Sequence, residues 1–155
     1  DRDGFRPGPL VLAQAFGPNS ISHHFEVVDW EGAITAAISL LEADQKVTAG
    51  YLTRVLQANQ KHGPYFVVAP GITIAHASPG EDVLETGLAL LRLQTPVVSG
   101  SNNDPVQLVF AFCAVDATSH IALLGRFAEV MSSPGNVNTL LNEPNLAVVR
   151  NLLTA

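Results

Sequence analysis

The sequence predicts a single α/β domain in which a central mixed β-sheet is flanked by helices. The chain has 155 residues, of which 47% are hydrophobic and 14% charged, a balance typical of a globular domain with one core. Segments with helical periodicity precede and follow a group of short strand-like segments. The most apolar segment, Val106 to Val115, is typical of a strand buried on both faces. Helices placed around strands in this way cover a sheet.

Two helices are predicted before the strands. Apolar residues recur at i, i+3, i+4 and i+7 within Ile34–Leu41, which indicates a helix over Trp30–Ala43 with Asp29 as its cap. A second apolar stripe predicts a helix over Val47–Gln60, and Gly63 and the proline after it end that helix.

The middle of the chain predicts the strands of the sheet. Two short candidates are separated by a Pro-Gly turn, and the others alternate or run together as apolar residues. Pro96 keeps its own segment away from a central position, because proline cannot donate a ladder hydrogen bond. The predicted strands are Tyr65–Ala69, Ile72–Ala75, Gly87–Leu93, a short edge piece Gln94–Val98, and the central strand Val106–Val115.

Three helices are predicted to close the chain, over Ser119–Met131, Val137–Leu141 and Leu146–Leu153. The longest should present Leu124, Phe127, Ala128 and Met131 on one face. Residues 1–18, rich in proline and glycine, are expected to be an extension or an expression remnant, which leaves 19–155 as the domain.

Composition excludes several classes of function. A net charge of −6, with only eight basic residues spread along the chain, does not supply a nucleic-acid grip. No apolar run is long enough to span a bilayer, and no secretory signal pattern opens the sequence. The only cysteine, Cys113, lies in an apolar run and excludes an internal disulfide. These features favour a cytoplasmic protein without membrane insertion.

Two histidines follow predicted strands. His76 ends the strand Ile72–Ala75, and His120 lies in the first turn of the helix that follows the central strand. Asp116 or Thr118 can cap this helix, and its free N–H groups favour an anion beside Thr118 and Ser119. Open α/β sheets bind ligands where strands end, so the two histidines are candidates for a shared site.

The chemistry of such a site stays open from the residues alone. Two imidazoles and nearby carboxylates could bind zinc, as in a metal-dependent hydrolase, although no HxxxH or HxH spacing is present. A Ser/His/Asp hydrolase is also conceivable, but the sequence contains no Gly-x-Ser-x-Gly elbow. It also contains no glycine-rich loop of the kind that binds phosphates. Another interpretation is that a histidine is itself the nucleophile, because neutral imidazole can accept and pass on a phosphoryl group.

Two segments carry a resemblance to a known family. The stretches GPYFVVAPGITIAHASPGEDVLETGLALLRLQTPV and NNDPVQLVFAFCAVDATSHIALLGRFAEVM resemble enzyme IIA proteins of the bacterial sugar phosphotransferase system, mannitol/fructose type. Within that type they are most similar to the ascorbate branch. The Gly-Pro-Tyr start, the Ala-Pro-Gly turn, the histidine and the Asp-x-x-x-His pair occur in the same order, over about residues 20–155.

The resemblance implies a phosphoryl-transfer role. The carrier HPr would phosphorylate His76, and the group would pass to a cysteine of a cognate enzyme IIB. His120 would orient His76 or the phosphoryl group, with Asp116, Thr118 and Ser119 in supporting roles. The relay implies no cofactor and no metal, and a homodimer is one of the open oligomeric states.

Two positions depart from the family pattern. Ala75 stands where the family usually has proline, and Ser78 stands where it often has arginine. The resemblance offers no match for the active-site arginine of the mannitol branch, and Arg54 is not assigned to it. These departures motivate a second hypothesis, in which phosphorylation of His76 regulates another protein instead of feeding sugar uptake.

Overall fold

The computed structural model describes residues 12–23 and 26–154. In this part of the chain, the order of helices and strands is close to the one that the sequence predicts. No helix among these residues is both long and apolar enough to cross a membrane. The elements are α1 Leu12–Ala15, β1 Ile21–His23, α2 Trp30–Ala43, α3 Ala49–His62, β2 Val67–Ala69, β3 Ile72–Ala75, β4 Gly87–Val97, β5 Val106–Cys113, α4 Ala117–Met131, α5 Pro134–Asn142 and α6 Leu146–Thr154.

The five strands form one mixed sheet in the order β1-β4-β5-β3-β2. The pairs β1–β4 and β3–β5 are parallel, whereas β2–β3 and β4–β5 are antiparallel. The predicted α/β architecture and mixed sheet are thus confirmed, with β5 at the centre.

Each face of the sheet has its own hydrophobic core. Successive side chains of a strand point to opposite faces, so β4 and β5 contribute alternate residues to both cores. Helices α2 and α3 cover the face that carries Leu91 and Val109. Helices α4, α5 and α6 cover the opposite face, which carries Leu90 and Phe110.

Helix α2 spans the predicted residues, and Asp29 caps it by accepting a hydrogen bond from the Gly32 amide at 2.8 Å. Helix α3 begins at Ala49, two residues later than predicted. The reason is tertiary, because the backbone of Val47 forms a β-bridge with Val83.

Strand β4 is longer than predicted. It joins the expected strand Gly87–Leu93 to most of the expected edge piece, which is therefore not a separate element. The pairing of β4 with β5 shifts register between Arg92 and Val97. Pro96 lies in this irregular stretch, where the missing N–H of proline removes no regular hydrogen bond between the strands.

The longest C-terminal helix, α4, begins two residues before the predicted start. Leu123 and Phe127 are its buried side chains, whereas Ala128 is exposed. The predicted apolar face was therefore wrong at Ala128, because a helix that covers only part of a sheet buries a narrower stripe than its sequence allows.

The N-terminal part of the described chain packs on the domain. Ala15 and Phe16 are buried in the core below α4, α5 and α6, and β1 pairs with β4. Neither α1 nor β1 was predicted, and both are short. Residues 1–11 of the predicted extension lie outside the described residues, and its boundary at residue 18 stays a prediction.

Candidate functional site

The pairing of β3 with β5 brings the two histidines together. These strands are parallel neighbours whose last paired residues are Ala75 and Ala111, so both chains leave the sheet at the same edge. His76 directly follows β3, and His120 lies in the first turn of α4 after β5. The centroids of the two imidazole rings are 5.8 Å apart.

One nitrogen of His76 is held by the backbone. Its Nδ1 lies 2.9 Å from the carbonyl oxygen of Ile74. Since a carbonyl oxygen only accepts hydrogen bonds, this contact requires a proton on Nδ1. In the neutral ring the lone pair then belongs to Nε2, the atom available as a nucleophile.

Aromatic rings surround the half-buried imidazole of His76. Phe112 stacks on it with centroids 4.7 Å apart, and Phe66 and Tyr65 lie at 5.5 and 6.2 Å. Burial lowers the pKa of His76 below its ordinary value, the hydrogen bond to Ile74 opposes this shift, and His120 adds to it. The environment thus favours the neutral, nucleophilic ring.

The ring of His120 contacts Phe112 as well as His76, and the centroids of the Phe112 and His120 rings are 5.1 Å apart. Its backbone N–H donates to the Asp116 carbonyl at 3.0 Å, which is an ordinary bond of the first helical turn. Its Nδ1 is buried and, among the described residues, makes no hydrogen bond. A buried ring nitrogen without a partner is costly, so His120 has capacity for one further polar contact.

Asp116 is the cap of α4, as one of the two predicted alternatives. Its carboxylate accepts from the Ser119 amide at 2.7 Å, and this backbone bond is the main cause that lowers the pKa of Asp116. Thr118, the alternative cap, is exposed. The Ser119 amide is therefore already satisfied.

The structure adds two residues of α3 that no sequence pattern singles out. The Tyr51 hydroxyl contacts the backbone of Ala77 and Phe112. Arg54 donates to the carbonyl oxygen of Ser78 at 2.8 Å and forms a bidentate ion pair with Asp82. These partners are 24 to 61 residues apart, so only their i, i+3 spacing on one helix was visible in the sequence.

The zinc hypothesis lacks a third protein ligand in the part of the chain that the structure describes, where no three His, Cys, Asp or Glu side chains are grouped to hold a metal ion. Cys113 is buried, and burial raises the pKa of its thiol to about 12. A thiol in this state is a core side chain and not a metal ligand.

Comparison with protein families identifies the class. Residues 14–155 match the family described as "Phosphoenolpyruvate-dependent sugar phosphotransferase system, EIIA 2". The match covers most of the chain, and the protein belongs to this family. The resemblance stated from the sequence is confirmed, and the family is one of phosphotransfer proteins.

Individual relatives refine the placement. The chain is 39% identical over 102 residues to an ascorbate-specific PTS system EIIA component of Shigella boydii. This match covers 65% of the chain and 66% of the relative, so the chain spans just under two thirds of the length of that relative.

Solved structures share the fold. The mannitol-specific cryptic phosphotransferase enzyme IIA of Escherichia coli superposes with a TM-score of 0.85 and 26% identity, covering 94% of this chain and 99% of that one. The enzyme IIA of a complex with phosphorylated enzyme IIB, both mannitol-specific and from E. coli, superposes with a TM-score of 0.77. Its identity is 21%, with coverage of 89% and 97%, which supports the fold alone.

Proposed function

We propose that this protein accepts a phosphoryl group on Nε2 of His76 and passes it to a partner protein. In the first step the Nε2 lone pair attacks the phosphorus of phosphorylated HPr, and the bond between that phosphorus and the HPr imidazole breaks. In the second step a cysteine thiolate of an enzyme IIB attacks the same phosphorus, and the bond to His76 breaks. Throughout, the proton stays on Nδ1, which donates it in a hydrogen bond to the Ile74 carbonyl oxygen.

One observation carries this proposal, namely that the Ile74 carbonyl holds Nδ1 and leaves Nε2 as the reactive atom. Burial keeps the ring neutral by lowering its pKa, which is the state a nucleophile requires. The fixed tautomer and the stacking on Phe112 reduce the reorganisation needed for attack.

His120 is proposed to stabilise the phosphoryl group during transfer. The centroid of its ring lies 5.8 Å from that of His76, it lies at the N-terminal end of α4, and its buried Nδ1 lacks a partner among the described residues. Preorganised donors and a helix N-terminus both favour the negative charge of a phosphoryl group. Thr118 and Ser119 are proposed as supporting residues of the same turn, with Asp116 fixing the turn through its cap.

The partners are proposed from the relatives. A structural neighbour is complexed with phosphorylated enzyme IIB, which supports an enzyme IIB as the acceptor, and HPr is proposed as the donor. The ascorbate-specific relative supports ascorbate, or a related sugar, as the transported compound. Exposed apolar side chains near the histidines, Tyr65 at 45% and Ile121 at 71% exposure, suit a surface that docks a protein. The proposed location is the cytoplasm, in keeping with a single buried cysteine.

The test is phosphorylation of the purified chain. Incubation with phosphoenolpyruvate, enzyme I and HPr should add one phosphoryl group, seen by intact mass, and a His76→Ala variant should add none. His62→Ala is the matched control, because this exposed histidine lies at the end of α3, and it should be phosphorylated like the wild type.

Transfer of the phosphoryl group from His76 to an enzyme IIB distinguishes the phosphoryl relay from the regulatory role. Transfer of the group to an ascorbate-type enzyme IIB supports the relay. Phosphorylation of His76 without transfer to any enzyme IIB supports the regulatory role motivated by Ala75 and Ser78. A wild-type chain that gains no phosphoryl group from a competent HPr would refute the proposal.

A further inference from the structure

Tyr51 occupies an unusual position between the two strands that lead to the histidines. Tyr51 belongs to α3, and its side chain is fully buried in the core. Its hydroxyl oxygen lies 2.9 Å from the amide nitrogen of Ala77 and 2.7 Å from the carbonyl oxygen of Phe112. The amide donates to the hydroxyl, and the hydroxyl donates to the carbonyl. The Ala77 carbonyl oxygen, at 3.2 Å, is a second and more distant acceptor.

These bonds begin where the ladder between β3 and β5 ends. The last residues that these two strands pair with each other are Ala75 and Ala111. Beyond them β3 has ended, whereas Phe112 and Cys113 of β5 pair only with β4. The Tyr51 hydroxyl forms hydrogen bonds with Ala77, which follows β3, and with Phe112 of β5. It therefore bridges the two segments just beyond the pair Ala75 and Ala111. His76 is the residue between the ladder and this bridge.

The bridge also fixes the surface against which His76 packs. Phe112, whose carbonyl accepts from Tyr51, stacks on the His76 ring at 4.7 Å and contacts the His120 ring at 5.1 Å. One turn further along α3, Arg54 donates to the Ser78 carbonyl at 2.8 Å and pairs with Asp82. Helix α3 therefore anchors the chain immediately after His76 at two successive positions.

We propose that Tyr51 is a positioning residue, whose buried hydroxyl locks the His76 ring in the orientation and tautomer that make Nε2 the nucleophile. The expected effect of Tyr51 on phosphoryl transfer rests on the proposed function. The expected effect of Tyr51 on the orientation and tautomer of the His76 ring does not depend on any reaction.

The test compares Tyr51→Phe with Tyr65→Phe. The chain has only two tyrosines, and both contact the His76 neighbourhood, but Tyr65 is half exposed and touches the ring by its edge. Each variant removes one hydroxyl and keeps the aromatic ring. In the unphosphorylated protein, nitrogen NMR of the His76 ring should show one tautomer in the wild type and in Tyr65→Phe, and a mixture in Tyr51→Phe.

The kinetic arm follows acceptance of the phosphoryl group from HPr. Loss of a defined attack geometry should slow acceptance by Tyr51→Phe about 10-fold or more at saturating phospho-HPr, with little change in the HPr concentration needed for half-maximal rate. The Thr53→Ala variant, which removes an exposed hydroxyl from the same helix, should stay within about twofold of the wild type. Phosphorylation of Tyr51→Phe at the wild-type rate, with a single His76 tautomer, would overturn the proposal.

A second preparation covers the case in which Tyr51→Phe does not fold. Tyr65→Phe protein made with 3-fluorotyrosine carries the label at residue 51 alone and retains its hydroxyl. The fluorine resonance should shift as His76 titrates, and an unmoved resonance would contradict the bridge. If the wild type accepts no phosphoryl group, the proposed function fails, and the two NMR measurements still decide the role of Tyr51.

Discussion

At the scale of single residues, the reactivity of His76 depends on effects that oppose one another. Burial among aromatic rings lowers its pKa, whereas the Ile74 carbonyl stabilises the protonated Nδ1 and raises it. His120 lowers the pKa further, because two cations 5.8 Å apart would repel each other. The balance keeps His76 neutral at pH values where an exposed histidine would begin to charge.

A substitution of His120 tests this balance. The His120→Gln variant removes the repulsion but leaves Phe112 and Ile74 in place, so the pKa of His76 should rise towards its ordinary value. Titration of the His76 ring protons by NMR measures the change. The His62→Gln variant should leave the pKa of His76 as it is in the wild type, and a pKa that stays the same or falls in His120→Gln would contradict the assignment of His120.

Single residues also show which parts of the candidate site could be predicted from the sequence. His76 and His120 were predicted as a pair because each follows a strand, and this rule depends only on local patterns. Tyr51 could not be selected from the sequence, because its partners Ala77 and Phe112 lie 26 and 61 residues away. Backbone groups beyond the end of the ladder between two strands have no signature in a sequence, so the hydroxyl that bonds them could not be found before the fold was known.

At the scale of elements, local signals decided which predictions held. Helix α2 was predicted at its observed bounds because its cap and its apolar stripe are both local. The sequence predicts two strands in place of β4 because Pro96 indicates a boundary, whereas the observed strand contains Pro96 in an irregular stretch of its pairing with β5. Strand β1 was missed because a three-residue parallel strand gains its stability from its neighbour and carries no pattern of its own.

The contact between α2 and α3 provides a prediction at this scale. The indole N–H of Trp30 donates to the side-chain oxygen of Asn59 at 2.9 Å, in the core between the two helices. Because Asn59→Ala would leave this N–H buried without an acceptor, it should lower the free energy of unfolding by about 2 kcal/mol. Chemical denaturation measures the loss.

The adjacent Gln60 offers a control for that measurement. It lies on the exposed face of α3, so Gln60→Ala should change the free energy of unfolding by less than about 0.5 kcal/mol. Equal losses in the two variants would mean that the effect comes from the helix and not from the bond to Trp30.

At the scale of the whole molecule, the buried histidine couples stability to pH. The pKa of His76 is lowered in the folded protein relative to an ordinary value of 6.5. Between these two values the unfolded chain binds more protons than the folded one, so acidification favours unfolding. The stabilising contribution of His76 is complete above about pH 6.5 and is lost as the pH falls through the folded-state pKa.

Thermal unfolding of the wild type and of His76→Gln measures this contribution. The Tm of the wild type should decrease more steeply than that of the variant as the pH falls from 7 to 5, because glutamine does not titrate. Parallel curves would show that the protonation of His76 is not linked to folding. Asp82, whose pKa the Arg54 guanidinium lowers, loses its contribution only at more acidic pH, and both proteins retain it.

The two outermost strands of the sheet, β1 and β2, have only three residues each. An outer strand offers unpaired backbone groups to any other chain that can align with it, and its length sets how many intermolecular bonds can form. The eleven-residue strand β4 would be a far better template, and β1 covers it along Leu90, Leu91 and Arg92. The residues Ile21, Ser22 and His23 thus protect the protein against self-association, since removing them would expose the longest strand of the sheet to a second copy.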